Sequence, residues 1–207
     1  MNGNRRRRDG EMAMLRSARH KVLASQEAAV SLYSVLVFLH IVGALGIFAG
    51  ITLEQAGLAN LRRASTNAQV RQWLPLLRML RRVEGPAGLV ILATGFYFVA
   101  TRWGHQAWIG LALLGMVVMA VLGAAFTGRR VSAIAKVLPI ADGPIPAALR
   151  QRLHDPLLRT SASLRAALGL GIVFNMSVKP APVGALTAMG VALALGAAAS
   201  LMKGEER

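Results

Sequence analysis

The sequence predicts an all-α fold, a polytopic transmembrane helical bundle of about five spans. With 55% of its 207 residues apolar and 16% charged, the chain suits one alanine-, leucine- and glycine-rich helical unit rather than several domains. Several uncharged runs approach or exceed the roughly 20 residues that a helix rising about 1.5 Å per residue needs to cross a bilayer core. The lysines and arginines fall between these runs, where membrane flanks collect them.

Residues 1–27 are expected to be a basic tail holding Arg5, Arg6, Arg7, Arg8, Arg16, Arg19 and Lys21. Met12, Leu15, Val22 and Leu23 recur near helical spacing, which fits an amphipathic helix in the headgroup region or a disordered start ending in a frayed turn. A cleaved secretory signal is not expected, because the first apolar run begins near Ala28 and is about twice as long as a signal core.

The first span, 28–53, carries no formal charge. The second, 85–101, is preceded by Arg81, Arg82 and Glu84 and followed by Arg102 and Trp103, the residue types that anchor helix ends at the interface. The third, 106–128, has Trp108 near its start and Arg129 and Arg130 at its exit. Its link to the second is so short that the two are expected to form an antiparallel hairpin. The fourth, 160–178, is interrupted by Arg165, which is expected to snorkel to the near interface. Pro180 and Pro182 then break the chain, and a fifth span, 181–202, leaves 203–207 as a tail.

Two arginine-rich connections remain. In the first, Leu58, Leu61, Val70, Trp73, Leu74, Leu77 and Leu80 recur near helical spacing, predicting helix that continues out of the membrane. The second, about Arg129 to Arg159, contains Pro139, Gly143, Pro144 and Pro146 and is expected to begin as an irregular loop before a short helix. Five spans put about fifteen Lys and Arg on the side of these connections against about nine on the other, which favours long connections facing the cytoplasm. The run Arg5 to Arg8 opposes that assignment, since translocating it is costly. The expected setting is a bacterial-type cytoplasmic membrane.

With no cysteine, disulfides, thiolate metal sites and thiol nucleophiles are excluded. The net charge of +15 is explained by basic helix flanks facing anionic lipid, so nucleic acid is not an expected partner. There is no HExxH helix, nucleophile elbow or Walker lysine, and no membrane-embedded carboxylate pair is expected. Proton-coupled transport would ordinarily need such a mid-membrane acid.

His40 is the one ionisable residue near the centre of a clean span, where an imidazole must be neutral and either hydrogen-bonded or bound to something. Gly43 and Ala44, one turn along, leave room beside it for a flat macrocycle or for a neighbouring helix. His20, His105 and His154 fall in tails or loops, so Met116 and Met119 of the third span are the candidates for a second haem ligand. Small residues form a second feature: Gly184, Ala188, Ala192, Gly196 and Ser200 are spaced by four, as are Gly46 and Gly50, and such spacing lets backbones approach. They suit packing within the bundle, or assembly with other membrane subunits or a second copy. Asn175, Met176, Lys179 and Pro180 mark the turn between the last two spans, with Lys179 placed to hold it at the headgroups.

Leu39-His40-Ile41-Val42-Gly43 with Phe48-Ala49-Gly50 resembles the first helix of the superfamily that groups copper resistance protein D-like membrane proteins with HemJ-type protoporphyrinogen oxidases. Leu80-Arg81-Arg82, Gly85-Pro86, Thr94-Gly95, Trp108-Ile109 and Val178-Lys179-Pro180 are similar to the starts or ends of later helices in that superfamily. The resemblance covers most of Leu32 to Pro180 and implies a four-helix unit with one added span. In the oxidase branch it implies haem b held through the first-helix histidine, here His40. The oxidases carry a lysine after the third-helix tryptophan and a histidine near that helix's end, whereas this chain is uncharged from Gly110 to Gly128. That departure points to the non-oxidase relatives. The expected function is therefore a non-enzymatic accessory or structural subunit of a membrane assembly. Haem-dependent oxidoreduction and copper or small-solute permeation are the alternatives.

Overall fold

The computed structural model describes residues 3–205, and the side chains outside 3–9, 26–31 and 203–205. The side chains of Arg5 to Arg8 and of the expected tail 203–207 thus lie outside the described residues. The protein is α-helical, with no β-strand among the described residues. Five of its helical stretches are long and apolar enough to cross a membrane: Leu32–Arg63, Asn67–Trp103, Ala107–Val137, Ala147–Val178 and Pro182–Met202. It is a multi-pass membrane bundle.

Helix α1 (Gly3–Arg63) runs for 61 residues without a proline to break it. The stretch preceding the first span is part of this helix, and every side chain from 10 to 25 is exposed. A short turn leads to α2 (Asn67–Phe98), where the Thr66 hydroxyl accepts from the Gln69 N–H and the Gln69 carboxamide accepts from the Thr66 N–H. This capping box satisfies two donors that the first turn leaves free. α2 continues as a π-helical segment, Val99–Trp103, and stops at Gly104, whose φ of 60° suits a residue without a Cβ.

α3 (Ala107–Val121) passes through a second π-helical segment, Leu122–Gly128, into α4 (Arg129–Val137). The irregular loop expected from Arg129 therefore starts only after Val137, because no helix breaker precedes Pro139. α5 (Ala147–Leu153) is followed by α6 (Pro156–Val178), capped by Asp155, which accepts from the Leu157 N–H at 2.9 Å. Pro156 then sits where a helix tolerates it. α6 ends at Lys179, held at φ 51°, with its ammonium 4.0 Å from the centre of the Trp103 ring. α7 (Pro182–Glu205) closes the bundle.

The helices overrun the uncharged stretches at the end bearing the long connections, and there they build a core. Leu58 and Leu61 of α1, Val70, Leu74, Leu77 and Leu80 of α2, Ile134 of α4, Leu149 and Leu153 of α5 and Leu158 of α6 are buried together. Each fully buried side chain of this size contributes about 1.5–3 kcal/mol where the alternative is water.

Within the membrane, small residues set the helix spacing. A Cβ on Gly43 would stand 2.9 Å from Ile91 and 3.0 Å from the Ala87 carbonyl, and one on Gly46 would stand 3.2 Å from the Ala87 Cβ. The room beside Gly43 is thus taken by α2. On the other side of the bundle, Ala192 lies against Gly171, and Gly196 lies against Ala167 and Leu164, so this face of α7 rests on α6. Ser200 is buried on the same face, Ala188 is half-buried, and Gly184 is exposed beside Pro180.

α1 packs chiefly on α2, while α3 packs on α6 and α7. α2 and α3 barely touch. The short link fixes their order in the chain but does not close them into a packed hairpin, because each has a larger partner elsewhere.

Candidate functional site

The gap between α2 and α3 is floored by charge. Arg165, in the first half of α6, is 5% exposed, and it points into the bundle rather than to the interface. Its Nη1 donates to Glu54 of α1, and its Nη2 donates to Glu84 of α2 at 2.6 Å. Snorkelling is thus replaced by pairing: both acids end at the same depth as the arginine, and their carboxylates compensate the buried guanidinium charge. The expectation of no embedded carboxylate pair is likewise corrected, since Glu54 is 7% exposed and shares this arginine with Glu84.

Glycines make space for the cluster. A Cβ on Gly50 would stand 2.7 Å from Glu84 Cγ, and one on Gly123 would stand 3.1 Å from Arg165 Cζ. Gly128 lies against the Arg81 guanidinium more tightly than any side chain would allow. Gly123 and Gly128 both belong to the second π-helical segment, whose wide turn is the kind of local departure that often accompanies function. Next to Gly128, Thr127 and Ser161 share a buried hydrogen bond of 2.9 Å that fixes this segment to α6.

Above the charges opens a cleft of about 350 Å³. Gly85, Gly88, Leu89 and Leu92 line its α2 wall, and Met116, Val117 and Ala120 line its α3 wall. Arg165, Glu54, Glu84 and Arg81 lie at its base. The Nε of Arg165 is buried without a hydrogen-bond partner among the described residues, a cost that a bound group or water relieves. Such a cleft has the size and mixed lining of a small-molecule site.

His40 lies further along the same seam. Its Nδ1 is 2.7 Å from the Thr94 hydroxyl, which itself donates to the Val90 carbonyl at 2.6 Å. The hydrogen bond between His40 and Thr94 ties α1 to α2, and its direction is set by the imidazole tautomer. The ring tilts against Phe98 at 5.7 Å. His40, Gly95, Leu113 and Met116 line a gap of about 60 Å³ that shares Leu92 and Met116 with the cleft.

The gap beside His40 is by itself well below the roughly 300 Å³ at which small-molecule pockets begin. Of the two methionines, Met116 shares the gap with His40, whereas Met119 is packed with Ile51, Leu168 and Met189. Asn175 is fully buried on α6, and its amide faces the Ala185 carbonyl at 3.5 Å. Among the described residues no three His, Asp or Glu side chains gather as a metal site.

Glu54, Gly123 and Gly128 were not singled out by the sequence pattern, and Arg81 and Glu84 were read only as anchors at the entry of the second span, although one signal for the cluster exists. An arginine inside a span demands a partner, and the first exit, the second start and the fourth start all lie at one membrane face. Comparison with protein-family models, curated proteins and solved structures finds no match.

Proposed function

We propose that this chain is a non-enzymatic accessory subunit of a bacterial-type cytoplasmic membrane, and that it holds a membrane-soluble amphiphile between α2 and α3. The supporting observation is the cleft: apolar walls of lipid-chain character end on an ionic base that carries an unpartnered buried donor. An apolar body and a polar end are what such a lining complements. The reading places the chain beside the non-oxidase relatives of the copper resistance protein D-like and HemJ-type superfamily, through the short motifs between Leu32 and Pro180.

The test is extraction and mass spectrometry of whatever co-purifies with the protein in mild detergent, for the wild type and for Gly88→Phe. Gly88 lines the cleft, and no atom stands within 4 Å of the Cβ position beyond its own surroundings, so phenylalanine fills the space without a clash at its root. A bound amphiphile lost in this variant supports the proposal, and equal retention ends it. A Soret band abolished by His40→Ala would replace it with a haem-dependent oxidoreductase.

A further inference from the structure

The cleft continues past Arg81 and Ala124 into a second depression of about 340 Å³, at the level where α3 passes into α4. Arg81, Arg129 and Lys136 surround it with Ser132, and no aspartate or glutamate lines it. None of the three cations forms an ion pair among the described residues. The neighbouring Arg130 does, reaching Asp155 at 2.7 Å. Gly128 lets the Arg81 guanidinium lie flat against the helix, which draws that charge to the junction of the two spaces.

Arg129 and Lys136, two positive charges without an acidic neighbour in this depression, together with Arg81, which also faces Glu54 at the cleft base, form a receptor for a phosphate at headgroup depth. The apolar cleft beside them is a receptor for a hydrocarbon chain. We infer that the ligand is an anionic phospholipid, with its phosphate among Arg81, Arg129 and Lys136 and one acyl chain between α2 and α3. This rests on reading the cleft as a ligand site, while the headgroup assignment stands on the cations. A zwitterionic headgroup would bring a further cation into a space that already holds Arg81, Arg129 and Lys136. A free phosphate would satisfy the charges and leave the cleft unused.

The experiment is native mass spectrometry of the full chain in detergent with equal amounts of phosphatidylglycerol and phosphatidylcholine. Wild type is expected to retain phosphatidylglycerol several-fold in excess. Arg129→Gln and Lys136→Gln touch no ion pair, and each is expected to reduce that preference about five-fold. Gly88→Phe is expected to lower retention of both lipids while keeping the preference. An undiminished preference in the Arg129→Gln, Lys136→Gln double variant would overturn the headgroup site. Displacement of the lipid by millimolar inorganic phosphate would overturn the lipid and leave a soluble anion as the ligand. Unchanged retention in Gly88→Phe, with the preference still dependent on the cations, would remove the cleft alone.

Discussion

Glu84 of α2 and Arg165 of α6 meet at 2.6 Å inside the bundle, and Gly50 of α1 stands where any side chain would push the carboxylate away. Three helices thus depend on one ionic contact that also forms the base of the cleft.

Arg165→Met is expected to destabilise strongly, by about 3–5 kcal/mol, because it strands the buried Glu54 carboxylate and the partly buried Glu84 carboxylate. Combining it with Glu54→Gln and Glu84→Gln should recover much of that loss, since the stranded charges are gone. Unfolding from mixed micelles by titrated denaturing detergent measures both. A single-variant cost within about 0.5 kcal/mol, the range of a surface change, would contradict the buried arrangement.

Gly123→Ala should cost about 1–3 kcal/mol, because the added methyl would stand 3.1 Å from the Arg165 Cζ, and the guanidinium is held in place by Glu54 and Glu84. Gly110→Ala, on the same helix with nothing near its Cβ position, should be neutral or slightly stabilising, as an alanine favours helix over a glycine. Measured side by side, equal responses would show that the space around Gly123 is not limiting.

His40→Leu and Thr94→Val each remove one partner of the same interhelical hydrogen bond. Each should cost about 0.6 kcal/mol and at most about 1.7 kcal/mol. The double variant should cost less than the sum, as residues in direct contact do. Strict additivity in the cycle would mean that the two side chains act separately.

Asp155→Ala removes the cap of α6 together with the Arg130 ion pair. A loss of about 0.5–2 kcal/mol is expected, visible as earlier unfolding of α6 in hydrogen exchange. Arg130→Gln should lose only the ion-pair share. If both variants exchange like wild type, the cap contributes nothing to the helix.

The helical, multi-pass character was legible because hydrocarbon imposes long uncharged runs, and the runs following Ala28, Gly85, Gln106 and Ala181 have that form without exception. The buried leucines from Leu58 to Leu80 were legible as well, since their spacing follows a helix face. Arg165 was not. Hydropathy registers a charge inside a run but carries no information on its partner, and Glu54 lies 111 residues away in the chain. The cleft was hidden for a related reason: a short link specifies which helices are consecutive, while the choice of α6 over α2 as the neighbour of α3 depends on side-chain fit such as Gly115 against Ile172 and Met189. His40 stood out by its depth, but Thr94 was found only when α1 and α2 were brought together.

The wide turns of Leu122–Gly128 also set a rotational phase. Each residue of a helix advances the next by about 100°, so deleting one residue from this segment would swing Arg129 and Lys136 about a quarter-turn around the helix axis while leaving the apolar length nearly unchanged. Composition would be preserved and the azimuth of two charges lost, which makes the segment's residue count, rather than its sequence alone, the quantity that aligns one end of the molecule with the other.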